Sequence, residues 1–284
     1  MANRQWPRWR ATALVLGPLG VLLAGPSTAY FAPTTQSPSL APNPTDPYEA
    51  TTIVTGVDMR NRPTGFARCL RDVLIKVSGE PRLSNDPRLP ALAARADQLV
   101  RSFDYHDQMA GIPPHDDQGT YDRSYDLTVH FDPAKIDQAL AELGEQPWRG
   151  ERPVAVAVLA VHGPKGRYLL SAEEPLGTDQ RSSLTEAARQ YGVKLHIPTR
   201  AELALWGVAA DEFPAPRAEL PTGETLVAGT LEFDEAAPGW VGSWHMRWQG
   251  TDYAWRISGV NFDEAFRDVV RGVLRLASGH GGPS

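Results

Sequence analysis

Cysteine is nearly absent from this chain of 284 residues, which contains only Cys69. A single cysteine excludes an intramolecular disulfide and a thiolate metal cluster. Cys69 lies on the apolar side of a helical pattern, between Phe66 and Val73. We interpret it as a buried core residue, since free cysteines behave as small hydrophobes. The alternative is a reactive thiol beside Arg68 and Arg71.

An excess of basic charge is also lacking, because 28 Lys and Arg residues face 34 Asp and Glu residues, and the formal net charge is -6. A nucleic-acid-binding protein needs a basic face. The composition therefore predicts that nucleic acid is not a partner. A hydrophobic content of 42% and a charged content of 22% are ordinary values for a globular protein.

No apolar run is long enough for a membrane span. The longest uncharged and mostly apolar stretch covers residues 11–25 and is interrupted by Pro18, whereas a spanning helix needs roughly 20 residues. The stretch follows three arginines and precedes the small residues 27–29. This pattern predicts a signal peptide over residues 1–29 that is cleaved before Tyr30, and hence export to the periplasm. The alternative is an uncleaved inner-membrane anchor formed by residues 11–25, with the body facing the periplasm. We expect membrane association only in that case.

Familiar catalytic motifs are missing: there is no Gly-x-Ser-x-Gly, no His-Glu-x-x-His and no phosphate loop. The sequence therefore favours a protein that is not an enzyme and has no cofactor. One alternative is a metal-assisted hydrolase, because imidazole and carboxylate groups can bind a divalent cation. The candidate ligands crowd residues 104–122, and they are His106, Asp107, His115, Asp116 and Asp117. We prefer to interpret this segment as a solvated polar loop.

What is present predicts an α+β protein in two small domains. After the signal, the proline-rich residues 30–47 indicate a disordered tether. The N-terminal domain covers residues 48–144, a linker covers 145–153, the C-terminal domain covers 154–277, and residues 278–284 form a disordered tail.

Patterns in the N-terminal domain predict two strands and three helices. The strands cover residues 48–55 and 121–131. One helix begins at Thr64 as N-cap and ends at Gly79. A second covers residues 86–103, and a third begins at Asp132.

The C-terminal domain is predicted to be a mixed sheet. The apolar run 154–161 is typical of a strand buried on both faces. A helix capped by Ser182 and a capping box at Thr199 follow. Three strands between residues 225 and 257 then form an antiparallel meander, and a helix at 262–276 packs on it.

Tryptophans supply the other candidate binding residues. Trp240, Trp244, Trp248 and Trp255 alternate along the last two strands, and an exposed aromatic row offers a stacking surface. We favour the interpretation that they lie under the helices. Trp148 and Arg149 at the domain boundary favour a structural role, with the indole buried and the guanidinium stacked or paired. A basic surface of Arg60, Arg62, Arg68, Arg71 and Lys76 is a further alternative.

One resemblance joins these patterns. The run Arg68-Cys-Leu-Arg-Asp-Val-Leu-Ile-Lys-Val-Ser-Gly79, the boundary Pro147-Trp-Arg-Gly-Glu-Arg-Pro153 and the segment Arg167-Tyr-Leu-Leu-Ser171 resemble a family known as domain of unknown function 2066. That family consists of uncharacterised exported proteobacterial proteins, and the resemblance implies no activity and no catalytic residues.

Taken together, these features predict a periplasmic or cell-envelope accessory protein. We expect it to bind an envelope protein or a cell-wall component, through a sheet face or a groove between the domains.

Overall fold

A computed structural model describes residues 46–111, 123–173, 175–208 and 223–283. Several predictions lie outside these ranges: the signal peptide at 1–29, residues 30–45 of the tether, and His115, Asp116 and Asp117. Within them the chain is a mixed α+β protein with a C-terminal antiparallel meander and helices packed on it. This confirms the predicted fold class. No helix in the described ranges is long and apolar enough to cross a membrane.

The first half of the described chain is a three-stranded antiparallel sheet with helices on one face. The strands are β1 (Glu49–Thr55), β2 (Val100–Asp107) and β3 (Ser124–Phe131), in the order β1-β3-β2. The helices are α1 (Arg62–Ser78), α2 (Leu89–Ala93) and α3 (Pro133–Glu142). Leu127, Val129 and Phe131 alternate along β3 and are buried beneath α1. Period-2 burial of this kind leaves the opposite face of the sheet to solvent.

The predicted helix over residues 86–103 is wrong. Helix α2 ends at Ala93, a 3-10 turn covers Ala96–Leu99, and strand β2 starts at Val100. Phe103 fits helical spacing from Leu99, but it also alternates with polar neighbours as a strand residue does, and pairing with β3 decides the outcome. Residues 104–107 are consequently strand and not polar loop.

Two helix starts also differ from the prediction. Helix α1 begins at Arg62 rather than after Thr64, with Pro63 in its first turn, where proline is well tolerated. Helix α4 (Thr178–Tyr191) begins before Ser182, directly after Gly177 at a φ of 77°. In contrast, Gly79 as left-handed C-cap and Asp132 as N-cap are confirmed.

The second half is a six-stranded mixed sheet. Its strands are β4 (Val154–Gly163), β5 (Gly166–Leu169), β6 (Lys194–His196), β7 (Glu224–Asp234), β8 (Gly239–Trp248) and β9 (Thr251–Val260). The order is β5-β4-β7-β8-β9, with β6 also beside β4. The pairs β4–β7 and β4–β6 are parallel. As predicted, β4 is buried on both faces. The remaining helices are α5 (Arg200–Leu205), which has the predicted capping box, and α6 (Phe262–Ser278).

The meander tryptophans lie mainly under α6. Trp244 has no exposed surface, and its Nε1 donates a hydrogen bond to Asp268 Oδ2 at 3.1 Å. Trp255 is also buried, whereas Trp240 and Trp248 are half-buried against the core. These positions match the interpretation that the row covers the sheet. They leave Trp244 and Trp255 no surface for stacking a ligand.

The two halves share a contiguous buried core, and the described residues belong to one compact unit. Their division into two domains stays a prediction. Gln190 on α4 donates to Asp72 on α1 at 3.0 Å, and Arg275 on α6 pairs with Glu80 after α1. The predicted disordered tail 278–284 is wrong at its start, because Ser278 is the last residue of α6 and His280 contacts Glu145 in the linker.

Candidate functional site

The predicted metal ligands His106 and Asp107 are not brought together. They are neighbours on strand β2, so their side chains point to opposite faces of the sheet. Asp107 Oδ2 accepts a hydrogen bond from Arg123 Nη1 at 3.1 Å, and the backbone N–H of Met109 lowers the pKa of this carboxyl. Across the described ranges, no group of three or more His, Cys, Asp or Glu side chains is arranged to hold a metal ion. His115, Asp116 and Asp117 lie outside those ranges.

A serine, a histidine and a glutamate that the sequence analysis missed do meet in space. Ser278 Oγ lies 2.8 Å from His280 Nδ1, and His280 Nε2 lies 3.2 Å from Glu145 Oε2. These residue types suggest a hydrolytic triad. Glu145 and His280 are distant in sequence, so no local motif signals the trio.

The position of Ser278 argues against catalysis. It is the last residue of α6, where the helix dipole is negative and disfavours a developing oxyanion. Its Oγ also lies 2.9 Å from the carbonyl oxygen of Gly79, which competes with His280 for the hydroxyl proton. We therefore interpret the trio as a structural contact between the end of α6, the linker and the end of α1.

Other groups donate hydrogen bonds to the last carbonyls of α1. The last carbonyls of a helix have no partner within the helix. Arg152 donates to the carbonyl of Lys76 at 2.5 Å, and the backbone N–H of Trp148 donates to the carbonyl of Val77 at 2.8 Å. Together with Ser278, the linker and α6 satisfy carbonyls that would otherwise be buried without partners.

Trp148 and Arg149 make structural contacts, although the indole is half-buried and not buried as predicted. Arg149 Nη2 pairs with Asp137 Oδ2 at 2.6 Å. The guanidinium stacked on the Trp148 ring, however, belongs to Arg152, whose Cζ lies 4.3 Å from the ring centroid. Burial lowers the pKa of Arg152 to about 10.

The alternative basic surface is not formed. Lys76 is buried, and its Nζ donates to the carbonyl of Glu49 at 2.7 Å. Arg60 pairs with Asp58, and Arg62 lies over the ring of Phe103. These contacts place three of the five cations in separate environments, and only Arg68 and Arg71 remain exposed together on α1.

An open depression of about 240 Å³ lies beside the β4–β5 turn. It is lined by His162, Gly163, Pro164, Gly166, Arg167, Phe233 and Glu235. His162 Nδ1 lies 3.3 Å from Glu232 Oε1, while its Nε2 is shielded from solvent and has no hydrogen-bond partner in the described ranges. Because Nε2 is shielded, a ligand in the depression cannot reach it without a shift of the ring.

The strongest candidate for a binding surface is the first sheet, on the face opposite α1. We call this the open face. Its side chains alternate with the buried ones, and the open face consists of Glu49, Thr51, Ile53 and Thr55 on β1, Ser102, Asp104 and His106 on β2, and Ser124, Asp126, Thr128 and His130 on β3. Ile53 is 57% exposed, although it is a large aliphatic residue in a strand.

Further exposed apolar residues cluster at one end of this sheet. The backbone N–H of Gly56 donates to the carbonyl oxygen of Arg123 at 2.8 Å, and that of Gln108 donates to the carbonyl oxygen of Ser124 at 3.3 Å. These bonds place the end of β1, the start of β3 and the end of β2 side by side. The exposed side chains there are Ile53, Val57, Met59 and Met109, which we call the apolar tip. Methionine is well suited to a binding surface, since its unbranched chain adapts to different partners.

Charge on the open face is mainly negative. Glu49, Asp104 and Asp126 supply carboxylates, and His130 lies between two of them. Its Nδ1 is 3.3 Å from Glu49 Oε2, and its Nε2 is 3.7 Å from Asp104 Oδ2. Asp126 lies opposite Ile53 in the register, whereas Glu49 and His130 pair toward the other end of the sheet. The open face therefore offers anionic groups that extend away from the apolar tip, which suits a ligand with cationic and apolar groups.

A family model described as Domain of unknown function (DUF8605) matches residues 41–149, less than half of the chain. It is a different family from domain of unknown function 2066, so the resemblance drawn from residues 68–79, 147–153 and 167–171 is wrong. No curated protein and no solved structure matches. The matched stretch contains the open face and the apolar tip, and over this stretch the chain is similar to a family whose function is unknown.

Proposed function

We propose that this protein is a non-enzymatic accessory protein of the cell envelope, and that it binds another envelope protein through the open face and the apolar tip. The observation that carries the proposal is that Ile53, Val57, Met59 and Met109 lie at one end of a sheet face that no described element covers. Of these, Met59 is 74% exposed. Exposed apolar side chains grouped on one part of a surface are a feature of interaction sites.

The charges of the open face define the partner further. Glu49, Asp104 and Asp126 attract a segment that carries lysine or arginine next to apolar residues. Such charges contribute mainly to the rate and specificity of association. Binding should therefore weaken as salt rises, since exposed charges are screened over about 10 Å at 0.1 M ionic strength.

The envelope location rests on the leader at residues 1–29, which has the basic, apolar and small-residue parts of a secretory signal. N-terminal sequencing of the mature protein tests it directly. A chain that begins at Tyr30 in the periplasmic fraction supports export, and an uncleaved chain in the cytoplasm contradicts it.

The binding surface is tested by capture from envelope extracts with the mature chain, Tyr30–Ser284. We expect the double variant Ile53→Asp, Met59→Asp to lose the captured partner, because it places charge in the apolar tip. Leu205→Asp is the matched control, since Leu205 is 83% exposed on α5 and is not part of the tip. Equal capture by both variants would refute the proposed surface. If purified cell wall retains the wild-type chain but not the double variant, the partner is a cell-wall component and not a protein.

A further inference from the structure

Strand β9 is an edge strand whose outer edge is unpaired in the described part of the chain. Strand β1 provides a contrast, because α1 and the turn before it cover its outer edge. Lys76 Nζ donates to the carbonyl of Glu49 at 2.7 Å, and Asn61 Nδ2 donates to that of Thr55 at 2.6 Å. No described hydrogen bond reaches the outer edge of β9. Exposed edges of this length are templates for pairing with another strand.

The hairpin geometry fixes which groups of β9 face outward. Strands β8 and β9 are joined by Gln249 and Gly250, both with positive φ, 49° and 81°. In a two-residue turn of this type, the N–H of Thr251 bonds back to the carbonyl of Trp248. Hydrogen-bonded pairs then alternate along the ladder. Residues 251, 253, 255 and 257 bond to β8, and the backbone groups of Asp252, Ala254 and Arg256 point to the open edge.

The regular part of β9 is centred on Ala254. Pairing with β8 runs without interruption from Thr251 to Ile257, and the register shifts between Ile257 and Val260. Thr251 and Ile257 are equally distant from Ala254. If the β9 strands of two copies pair antiparallel about a two-fold axis at Ala254, residues 251–257 of each copy therefore lie opposite residues 251–257 of the other.

In that register the edge is complementary to itself. Asp252 of one copy lies opposite Arg256 of the other, and the reverse contact follows from the symmetry. Both side chains project from the same face as Ala254, whose small side chain permits close approach at the axis. Asp252 is 79% exposed and has only a 3.7 Å contact with Arg247. Arg256 is exposed and makes no ion pair with any described residue.

We propose that two copies of this chain form a symmetric dimer by antiparallel pairing of their β9 strands about Ala254. The backbone N–H and C=O groups of Asp252, Ala254 and Arg256 in each copy supply the hydrogen bonds. The two Asp252–Arg256 pairs set the register, since opposite charges on facing residues stabilise a pair of strands. The proposal is independent of the open face, which belongs to the other sheet.

The first test measures the molar mass of the mature chain by sedimentation equilibrium. We expect a dimer at micromolar concentration, and we expect Asp252→Arg to weaken it by roughly tenfold or more, because arginines then face each other twice. Adding Arg256→Asp to this variant exchanges the charges and restores the dimer. The control Arg167→Asp, at an exposed position on β5, leaves the mass unchanged. The proposal is overturned if the wild type is a monomer, even if its β9 edge binds an extended peptide. It is also overturned if the wild type is a dimer that Asp252→Arg does not weaken.

The second test locates the axis by disulfide formation. Facing residues of a hydrogen-bonded antiparallel pair have Cα atoms about 5.5 Å apart, which a disulfide can bridge. Ala254→Cys should give a covalent dimer on mild oxidation. Asp252→Cys should not, since the two copies of residue 252 are four positions out of register. Cys69 has no exposed surface and does not interfere. Equal cross-linking of both variants would overturn the proposed register.

Discussion

Lys76 stabilises the fold through a hydrogen bond but also destabilises it, because its ammonium group is buried. It is 2% exposed, and its Nζ donates to the carbonyl of Glu49 at the outer edge of β1. Burial lowers the pKa of the ammonium to about 8, although Asp72 opposes the shift. The lysine thus covers a strand edge while its charge is removed from water, which disfavours the protonated form.

We predict that Lys76→Met changes the pH dependence of stability. Between pH 8 and 10.5 the unfolded chain holds a proton on Lys76 that the folded chain has released, so this group makes wild-type stability rise with pH. The free energy of unfolding of the wild type relative to Lys76→Met should therefore increase by up to about 3 kcal/mol across this window.

Urea unfolding at pH 7, 8.5 and 10 measures this difference. Lys135→Met is the matched control, because Lys135 Nζ also donates to a main-chain carbonyl, that of Gln98, but its side chain is exposed. If the difference in the free energy of unfolding between wild type and Lys76→Met does not change with pH, the effect assigned to burial of Lys76 is contradicted.

At the scale of elements, the packing of the meander against α6 depends on Trp244, whose indole lies against Gly229 and Gly242. A Cβ on Gly229 or on Gly242 would fall inside the van der Waals radius of the Trp244 indole. Gly229 is the cross-strand partner of Trp244, and Gly242 precedes it by two positions on the same face. The absence of side chains at these positions lets the indole lie flat between the sheet and α6.

Gly229→Ala should destabilise the protein by about 1–3 kcal/mol, the usual cost of overpacking a core. Gly282→Ala is the control, because nothing lies within 4 Å of a Cβ at that position. The urea midpoint, followed by tryptophan fluorescence, measures both variants. Equal midpoints for the two would show that the indole moves aside at little cost.

Local patterns predicted most elements, and the failures have identifiable physical causes. Asp132 and Thr199 were predictable because a cap is a contact within a few residues of the chain. Strand β2 was missed because Leu99 and Phe103 also fit helical spacing. The start of α4 was missed because Gly177 in a left-handed conformation replaces the side-chain cap that was expected at Ser182.

The candidate binding surface was only partly predictable. The sequence predicts a binding sheet face, but its most conspicuous candidates are the meander tryptophans, and these lie mainly under α6. Val57 and Met59 fall between the predicted strand 48–55 and the predicted helix with Thr64 as N-cap, and Met109 falls in the predicted polar loop. Their proximity depends on the antiparallel pairing of β1 and β2 with β3, which no short pattern encodes.

For the whole molecule, the contacts between the two halves decide how it unfolds. Asp72 bonds to Gln190, Lys76 to Arg152, Gly79 to Ser278, and Glu80 to Arg275. All four contacts lie in the C-terminal half of α1 or directly after it. Removing either half would expose the buried groups of the other.

We therefore predict one cooperative unfolding transition for the whole folded body. Calorimetry should give equal calorimetric and van't Hoff enthalpies. Ser278→Ala, which removes the donor to Gly79, should lower the midpoint without splitting the transition. Two resolved transitions in the wild type would show instead that residues 48–144 and 154–277 unfold separately.

The bond from Ser278 to Gly79 joins positions 199 residues apart. The last turn of α6 therefore acts as a clasp on a helix that lies far earlier in the chain. Fraying of that turn would release the carbonyl of Gly79, so a local loss of order in α6 is transmitted to the end of α1.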